Sequence, residues 1–179
     1  MKLDTIVNQP VVDTPRFALR PLRRSDLGLI EMHTADRELA RMTTSIPNPV
    51  PPGATEAFIA RAQSEDRVED VWAIDGSTEG HPEVMGLISL TRVDEGQTEI
   101  GYWIGKAFWN TGLASEAVRA LIAANPLESS TIFASVFQDN PASARVLTNC
   151  GFQYLGDAES FSVARDATVP TWTYSLKLD

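Results

Sequence analysis

The chain predicts a single α/β (α+β) domain, and three features carry that prediction. Short β-branched and aromatic runs with period-two alternation recur along it, the clearest being T-E-I-G-Y-W-I over residues 98–104. Amphipathic stretches lie between them, as where Ala114, Ala117, Val118, Leu121 and Ile122 form one apolar stripe. The two kinds of segment interleave in the order βααβββαβαββ, about seven strands and four helices. A length of 179 residues suits one domain with a real core.

Residues 1–15 hold Pro10, Pro15 and scattered polar residues, and are expected to be a flexible lead-in to a domain spanning 16–179. R-F-A-L-R-P-L, residues 16–22, reads as the first strand, stopped at Pro21. Ser25 is expected to cap a helix running to about Ala40, where Leu27, Ile30, Glu31 and Thr34 give an imperfect helical period. S-I-P-N-P-V-P-P-G, residues 45–53, places four prolines in nine positions and cannot be regular structure. It reads as a semi-rigid loop rather than a linker, because neither side is long enough to be a separate domain. Residues 55–62 are a second helix, and S-E-D-R-V-E-D after them is a solvated charge run.

Residues 71–74 and 84–90 are two strands joined by a long Gly/Ser-rich loop. Asp94-Glu95-Gly96-Gln97 turns the chain into the strand that contains Glu99. That strand feeds a tight turn over residues 105–112, which opens the helix from Ala114 that Asn125-Pro126 stops. Thr131–Phe137 is the next strand. Asn140 then caps a helix with Pro141 at its first position, and Gly151 ends it. Residues 152–155 and 170–178 supply the last two strands.

With 43% hydrophobic and 22% charged residues the chain is globular rather than disordered. Its net charge of −9 argues against nucleic acid as a partner and against a polybasic membrane contact. A negative surface suits cationic substrates such as amines, and solubility alone explains it equally well. Cys150 is the only cysteine, which excludes an intrachain disulfide and a complete cysteine metal site. His33 and His81 have no ligand spacing, so no metal is expected. The first residues lack the apolar core of a signal peptide and no run reaches transmembrane length, so a cytoplasmic location is expected.

The stretch from Glu99 to Ala117, E-I-G-Y-W-I-G-K-A-F-W-N-T-G-L-A-S-E-A, organises the rest. A strand that feeds a small-residue turn opening a helix leaves several amides unpaired and pointing one way, at the positive end of the helix dipole. Such a turn binds anions, here the pyrophosphate of a nucleotide-like molecule. One strand later comes D-N-P-A-S-A-R, closed by C-G-F.

Together these residues resemble the GNAT acyltransferase superfamily, and within it the Rim-type ribosomal-protein N-terminal acetyltransferases. In that branch a strand ending G-Y-W leads into W-G-x-G-x-A-(S/T)-E-A, and N-x-A-S precedes G-F. The matching residues are Gly101-Tyr102-Trp103, Trp109 to Ala117, Asn140 to Ser143 and Gly151-Phe152, and R-F-A-L-R-P-L looks like the branch's first strand. The resemblance implies one GNAT-like domain whose mixed seven-stranded sheet is splayed between its fourth and fifth strands. Acetyl-CoA, as co-substrate, would lie in the splay. Its acetyl group would pass directly, in a ternary complex, to a primary amine. A protein N-terminal α-amine stands ahead of a polyamine or aminoglycoside, and the contrasting class is a silent acyl-CoA-binding domain. A monomer and a homodimer both fit.

Residue by residue, the resemblance assigns the amides of Asn110, Thr111, Gly112, Leu113 and Ala114 to the pyrophosphate, and Trp103 and Ile104 to the cofactor as well. Asn110 and Thr111 stand where the family often has glycine followed by lysine, so a cation near the phosphates is lost and lower affinity is expected. Trp109 and Leu113 also serve as packing residues. Asn140 is an adequate N-cap by itself, and the resemblance adds a contact to the pantetheine arm. Many family members carry a tyrosine acid where this chain has Leu147. Ser143 is the nearest hydroxyl, either a small packing residue or the group that protonates or hydrogen-bonds the departing thiolate.

Glu99 shares a strand face with Gly101 and Trp103, and is either a general base or a solvated strand-edge residue. Glu159 is the reserve base. Near pH 7.4 a lysine is about 0.1% neutral and an α-amine about a quarter neutral, so modest base machinery matches an α-amine. Cys150 continues an apolar stripe with Ala142 and Val146, and is rejected as a nucleophile.

Overall fold

The computed structural model describes residues 9–178. Among these residues eight strands form one sheet: β1 (Val12–Asp13), β2 (Ala18–Pro21), β3 (Glu69–Asp75), β4 (Gly86–Asp94), β5 (Gln97–Ile104), β6 (Thr131–Phe137), β7 (Gln153–Ser162) and β8 (Ala167–Lys177). Their spatial order is β1-β2-β3-β4-β5-β6-β8-β7, antiparallel throughout except for the parallel β5–β6 pair. Five helices cover it: α1 (Leu27–Thr34), α2 (Arg37–Arg41), α3 (Ala54–Ala62), α4 (Leu113–Ala124) and α5 (Pro141–Asn149). The architecture is the expected single α+β domain with a mixed sheet. Its eighth strand is the short β1.

Both faces of the sheet are covered, which explains why nearly every residue of β3 is buried instead of every second one. Trp72 and Ile74 pack with Ile88, Ile100, Ala117, Val118 and Leu121 on the α4–α5 face. Val71 and Ala73 pack with Ile30, Ile59 and Leu87 on the α1–α3 face. Trp72 is fully buried, and its truncation to alanine would cost about 3–5 kcal/mol.

Local signals held where they rest on neighbouring residues. Asn140 caps α5, its side chain accepting from the Ser143 amide at 3.4 Å, with Pro141 following. Gly151 (φ 95°) closes the same helix, and Phe152 and Gly151 return hydrogen bonds to Leu147 and Thr148.

Four expectations need correction. Residues 1–8 of the lead-in lie outside the described residues, and residues 9–15 are docked: Gln9 donates to the Val71 carbonyl, Trp72 donates to the Pro10 carbonyl, and β1 pairs with β2. The helix expected from Ser25 to Ala40 is two helices, parted where Asp36 leaves the helical conformation and caps α2. Ser25 lies inside a 3-10 turn and caps nothing; the adjacent Asp26 instead takes the Arg23 amide and the buried Arg20 guanidinium. The charge run is not wholly solvated, because fully buried Asp70 binds Arg67 and Arg92. Finally, β7 and β8 extend through residues expected to be loop, making one long hairpin.

The feature that positions the site is the parting of β5 and β6. They pair only at Gln97↔Thr131, Thr98↔Ile132 and Glu99↔Phe133. Beyond Glu99, β5 stays with β4 as far as Ile104, and β6 stays with β8 as far as Phe137. The inner backbone groups of the two arms therefore face a gap and not each other.

Candidate active site

A cleft of about 1160 Å³ runs through this gap, with Glu99 where the strands begin to part. It joins two half-sites, because alternate residues of β5 point to opposite faces of the sheet. Tyr102 packs with Ile100 and Ile104 against the α4–α5 core. Glu99, Gly101 and Trp103 face the other way, in register with Thr91, Ser89 and Leu87.

On the α4–α5 face, the turn before α4 is curled by positive φ at Asn110 (64°) and Gly112 (78°), a conformation that turns successive amides toward one concavity. Among the described residues, the amides of Asn110, Thr111, Gly112, Leu113 and Ala114 have no hydrogen-bond partner. The turn is braced from behind. Trp109 Nε1 donates to the Ile104 carbonyl at 2.7 Å, and Thr111 Oγ1 donates to the Phe108 carbonyl at 2.6 Å. Arg16 brings a guanidinium from β2's approach, donating to Glu116 at 2.6 Å and to the Thr111 carbonyl at 3.3 Å. A cation thus stands beside the turn that lacks the family's lysine, and sequence spacing gives no sign of it. A Cβ added to Gly112 would meet nothing nearer than Arg16 Nη2 at 4.0 Å, so the concavity is open. Five unpaired amides at a helix start, beside a cleft of this size, fit a pyrophosphate-bearing co-substrate.

Across the gap, Ser143 sits in the first turn of α5 and lines the cleft with Asn140. Its Oγ lies 2.8 Å from the Tyr102 hydroxyl. Leu147 is fully buried and also lines the cleft, so this position faces the gap with an apolar side chain where many family members place a tyrosine. Trp103 and Ile104 also line the cleft; the Ile104 carbonyl is taken by the Trp109 indole, and Trp103 lies edge-on to His33 at 5.8 Å.

On the opposite face, Glu99 is half-buried and has no hydrogen-bond partner among the described residues. Burial, and then the nearby Glu69 carboxylate, push its carboxyl above the usual glutamate value. The register Glu69↔Thr91↔Glu99 puts both carboxylates on one sheet face, two strands apart, and both line the cleft. Glu69 is a site residue the sequence did not reveal, since its partner is thirty positions away and its own segment reads as a surface charge run. Glu159 is exposed on β7 outside the cleft lining.

A match to the acetyltransferase (GNAT) domain family covers residues 16–153. The chain belongs to the GNAT acetyltransferase family. It is a GNAT N-acetyltransferase, similar to the uncharacterized N-acetyltransferase p20 of Bacillus licheniformis, with 26% identity over 178 residues that cover 91% of this chain and 93% of that one. Two among the solved structures that share its fold illustrate the likeness. One is RimL, a ribosomal L7/L12 α-N-protein acetyltransferase in complex with coenzyme A, with TM-score 0.80, 16% identity and coverage of 95% and 99%. The other is the spermidine N-acetyltransferase from Vibrio cholerae in complex with CoA and spermine, with TM-score 0.76, 17% identity and coverage of 92% and 96%.

In this acetyltransferase the proline-rich segment forms part of the cleft wall, through Ser45, Ile46, Pro47 and Val50. The tip of the β7–β8 hairpin is latched to the residues before that segment: the Val163 amide donates to the Thr44 carbonyl and Arg165 Nε to the Arg41 carbonyl, each at 3.0 Å. Arg165 also forks onto Asp139 at 2.7 and 3.0 Å and lies 4.9 Å over the Phe137 ring. Cys150 is outside the cleft lining, its thiol pushed up by burial. No group of three or more potential metal-binding side chains occurs among the described residues, and none of the described helices is long and apolar enough to cross a membrane.

Proposed function

We propose that this acetyltransferase moves the acetyl group of acetyl-CoA directly onto a protein N-terminal α-amine, as the Rim-type branch does. The observation that carries the proposal is the splay, with five unpaired amides on one side of the gap and a partnerless, half-buried carboxylate on the other. The amides of residues 110–114 hold the pyrophosphate, and Asn140 and the inner edge of β5 at Trp103 and Ile104 hold the pantetheine arm. Glu99 takes the proton from the attacking amine, directly or through water, and its raised proton affinity suits it to that work. Ser143 donates a hydrogen bond to the sulfur as the C–S bond breaks. A covalent acyl-enzyme has no support, because the only cysteine is outside the cleft and its thiol, packed against the core, is pushed up by burial.

The pairing of Glu69 with Glu99 favours a second reading, a small cationic amine such as a polyamine. Thiol release from acetyl-CoA separates the two, assayed with peptides bearing a free α-amine, the same peptides blocked at the N-terminus, spermidine and an aminoglycoside. Turnover of the free peptides alone supports α-amine transfer, and turnover of spermidine alone moves the acceptor to the polyamines. Acetyl-CoA binding without turnover on any amine would leave a silent acyl-CoA-binding domain.

A further inference from the structure

The α5 tyrosine of many family members is absent, yet a phenol is present at the gap from another element. Tyr102 stands on the arm of β5 that has left β6, three residues past the last paired position, Glu99. Its ring packs into the α4–α5 core and its hydroxyl rises to the first turn of α5. There it lies 2.8 Å from Ser143 Oγ, a contact in which either hydroxyl could be the donor, and 3.2 Å from the Ser143 carbonyl, which can only accept. The shorter contact is to the side chain.

A serine in the first turn of a helix has a proton free to rotate. Left alone, it can turn back to a carbonyl of the preceding turn and present only lone pairs to the cleft. A neighbour that donates to Oγ removes one lone pair from competition and leaves the serine's own O–H to find a different acceptor. We propose that Tyr102 is a positioning residue for acetyl transfer: its hydroxyl donates to Ser143 Oγ and so directs the Ser143 proton into the gap, toward the departing sulfur. Burial pushes the Tyr102 phenol up to about 12, so it remains a donor across the working pH range.

The chemistry balances without a proton leaving either hydroxyl. The amine nitrogen forms the C–N bond, the C–S bond breaks, and its electron pair leaves on sulfur. The surplus proton on nitrogen goes to Glu99 and from there to solvent. Ser143 and Tyr102 each donate a hydrogen bond, and the thiolate gains its proton from water on release. Sulfur becomes an anion only as the bond breaks, so the effect belongs in kcat and not in acetyl-CoA binding.

This inference rests on Ser143 being the donor to the thiolate, and the test separates the two. Tyr102→Phe, Ser143→Ala and the double variant are compared by thiol release from acetyl-CoA, with a free α-amine peptide as acceptor and with water alone. Expulsion of the thiolate is common to transfer and hydrolysis, so either readout serves. Tyr102→Phe keeps the ring and its packing, and the melting temperatures of all three report on the fold. The expected result is a fall in kcat of about tenfold for Tyr102→Phe and about 10–10²-fold for Ser143→Ala, with the acetyl-CoA KM unchanged. The double variant should be no worse than Ser143→Ala, because Tyr102 acts only through that hydroxyl. Wild-type kcat in Ser143→Ala would overturn both the donor role and this inference. An impaired Ser143→Ala beside an intact Tyr102→Phe, or additive losses in the double variant, would overturn the positioning role alone.

Discussion

Replacing Glu99 with glutamine tests the base assignment with little risk to the fold. The two side chains have the same shape, and Glu99 has no described hydrogen-bond partner to strand. A positioned general base contributes about 10²–10⁴ in rate, so kcat in Glu99→Gln should fall by that factor, about 3–5.5 kcal/mol of barrier. The wild-type rate should decline toward acid at a pH above the ordinary glutamate range, since burial and then Glu69 raise this carboxyl. In the variant that limb should vanish, and the deficit should shrink as pH rises. The shrinkage is bounded, because an α-amine already about a quarter neutral near pH 7.4 gains only about fourfold by full deprotonation.

Stability provides an independent sign. A carboxyl whose proton affinity is raised by folding contributes fully below its unfolded value, and that contribution is lost as pH rises through the folded one. Glutamine mimics the neutral form. Glu99→Gln should therefore melt with the wild type in acid and above it at neutral pH, while activity falls. Thiol-release kinetics from about pH 5.5 to 9.5, with thermal melts at about pH 4 and about pH 7, measure both effects. A near-wild-type kcat with an unchanged profile would return Glu99 to the status of a surface carboxylate.

Gly112→Trp should abolish acetyl-CoA binding, since its bulk enters the open concavity at the amide turn; the left-handed backbone there adds about 1–2 kcal/mol of strain. Unchanged affinity by calorimetry would refute the pyrophosphate assignment. Replacing residues 47–52 with Gly/Ser should raise the KM for the amine and leave that for acetyl-CoA alone, because Pro47 and Val50 line the cleft wall; an unchanged amine KM would make this stretch a connector. Arg165→Ala should cost about 1–2 kcal/mol in urea denaturation, a discounted figure because Asp139 is half exposed to solvent. An unchanged midpoint would mean that the hairpin tip is held by its backbone contacts.

The sequence alone determined the features whose causes lie within a few residues. The cap at Asn140, the glycine stop at Gly151, the bounds of Thr131–Phe137 and the turn that opens a helix near Gly112 are all local chemistry, and each is where the sequence placed it. Period-two alternation likewise put Glu99 and Tyr102 on opposite faces of one strand. What occupies the space beyond each face was decided only by tertiary structure. Tyr102 meets Ser143 across 41 residues, Arg16 reaches Glu116 across 100, and Arg165 finds the Arg41 carbonyl across 124. The α1–α2 break, by contrast, is local: Asp36 leaves the helical conformation and its side chain caps α2. Hydrophobic pattern and capping are short-range and read along the chain. The partner of a side chain depends on which strands the sheet brings together, and no local residue pattern encodes that.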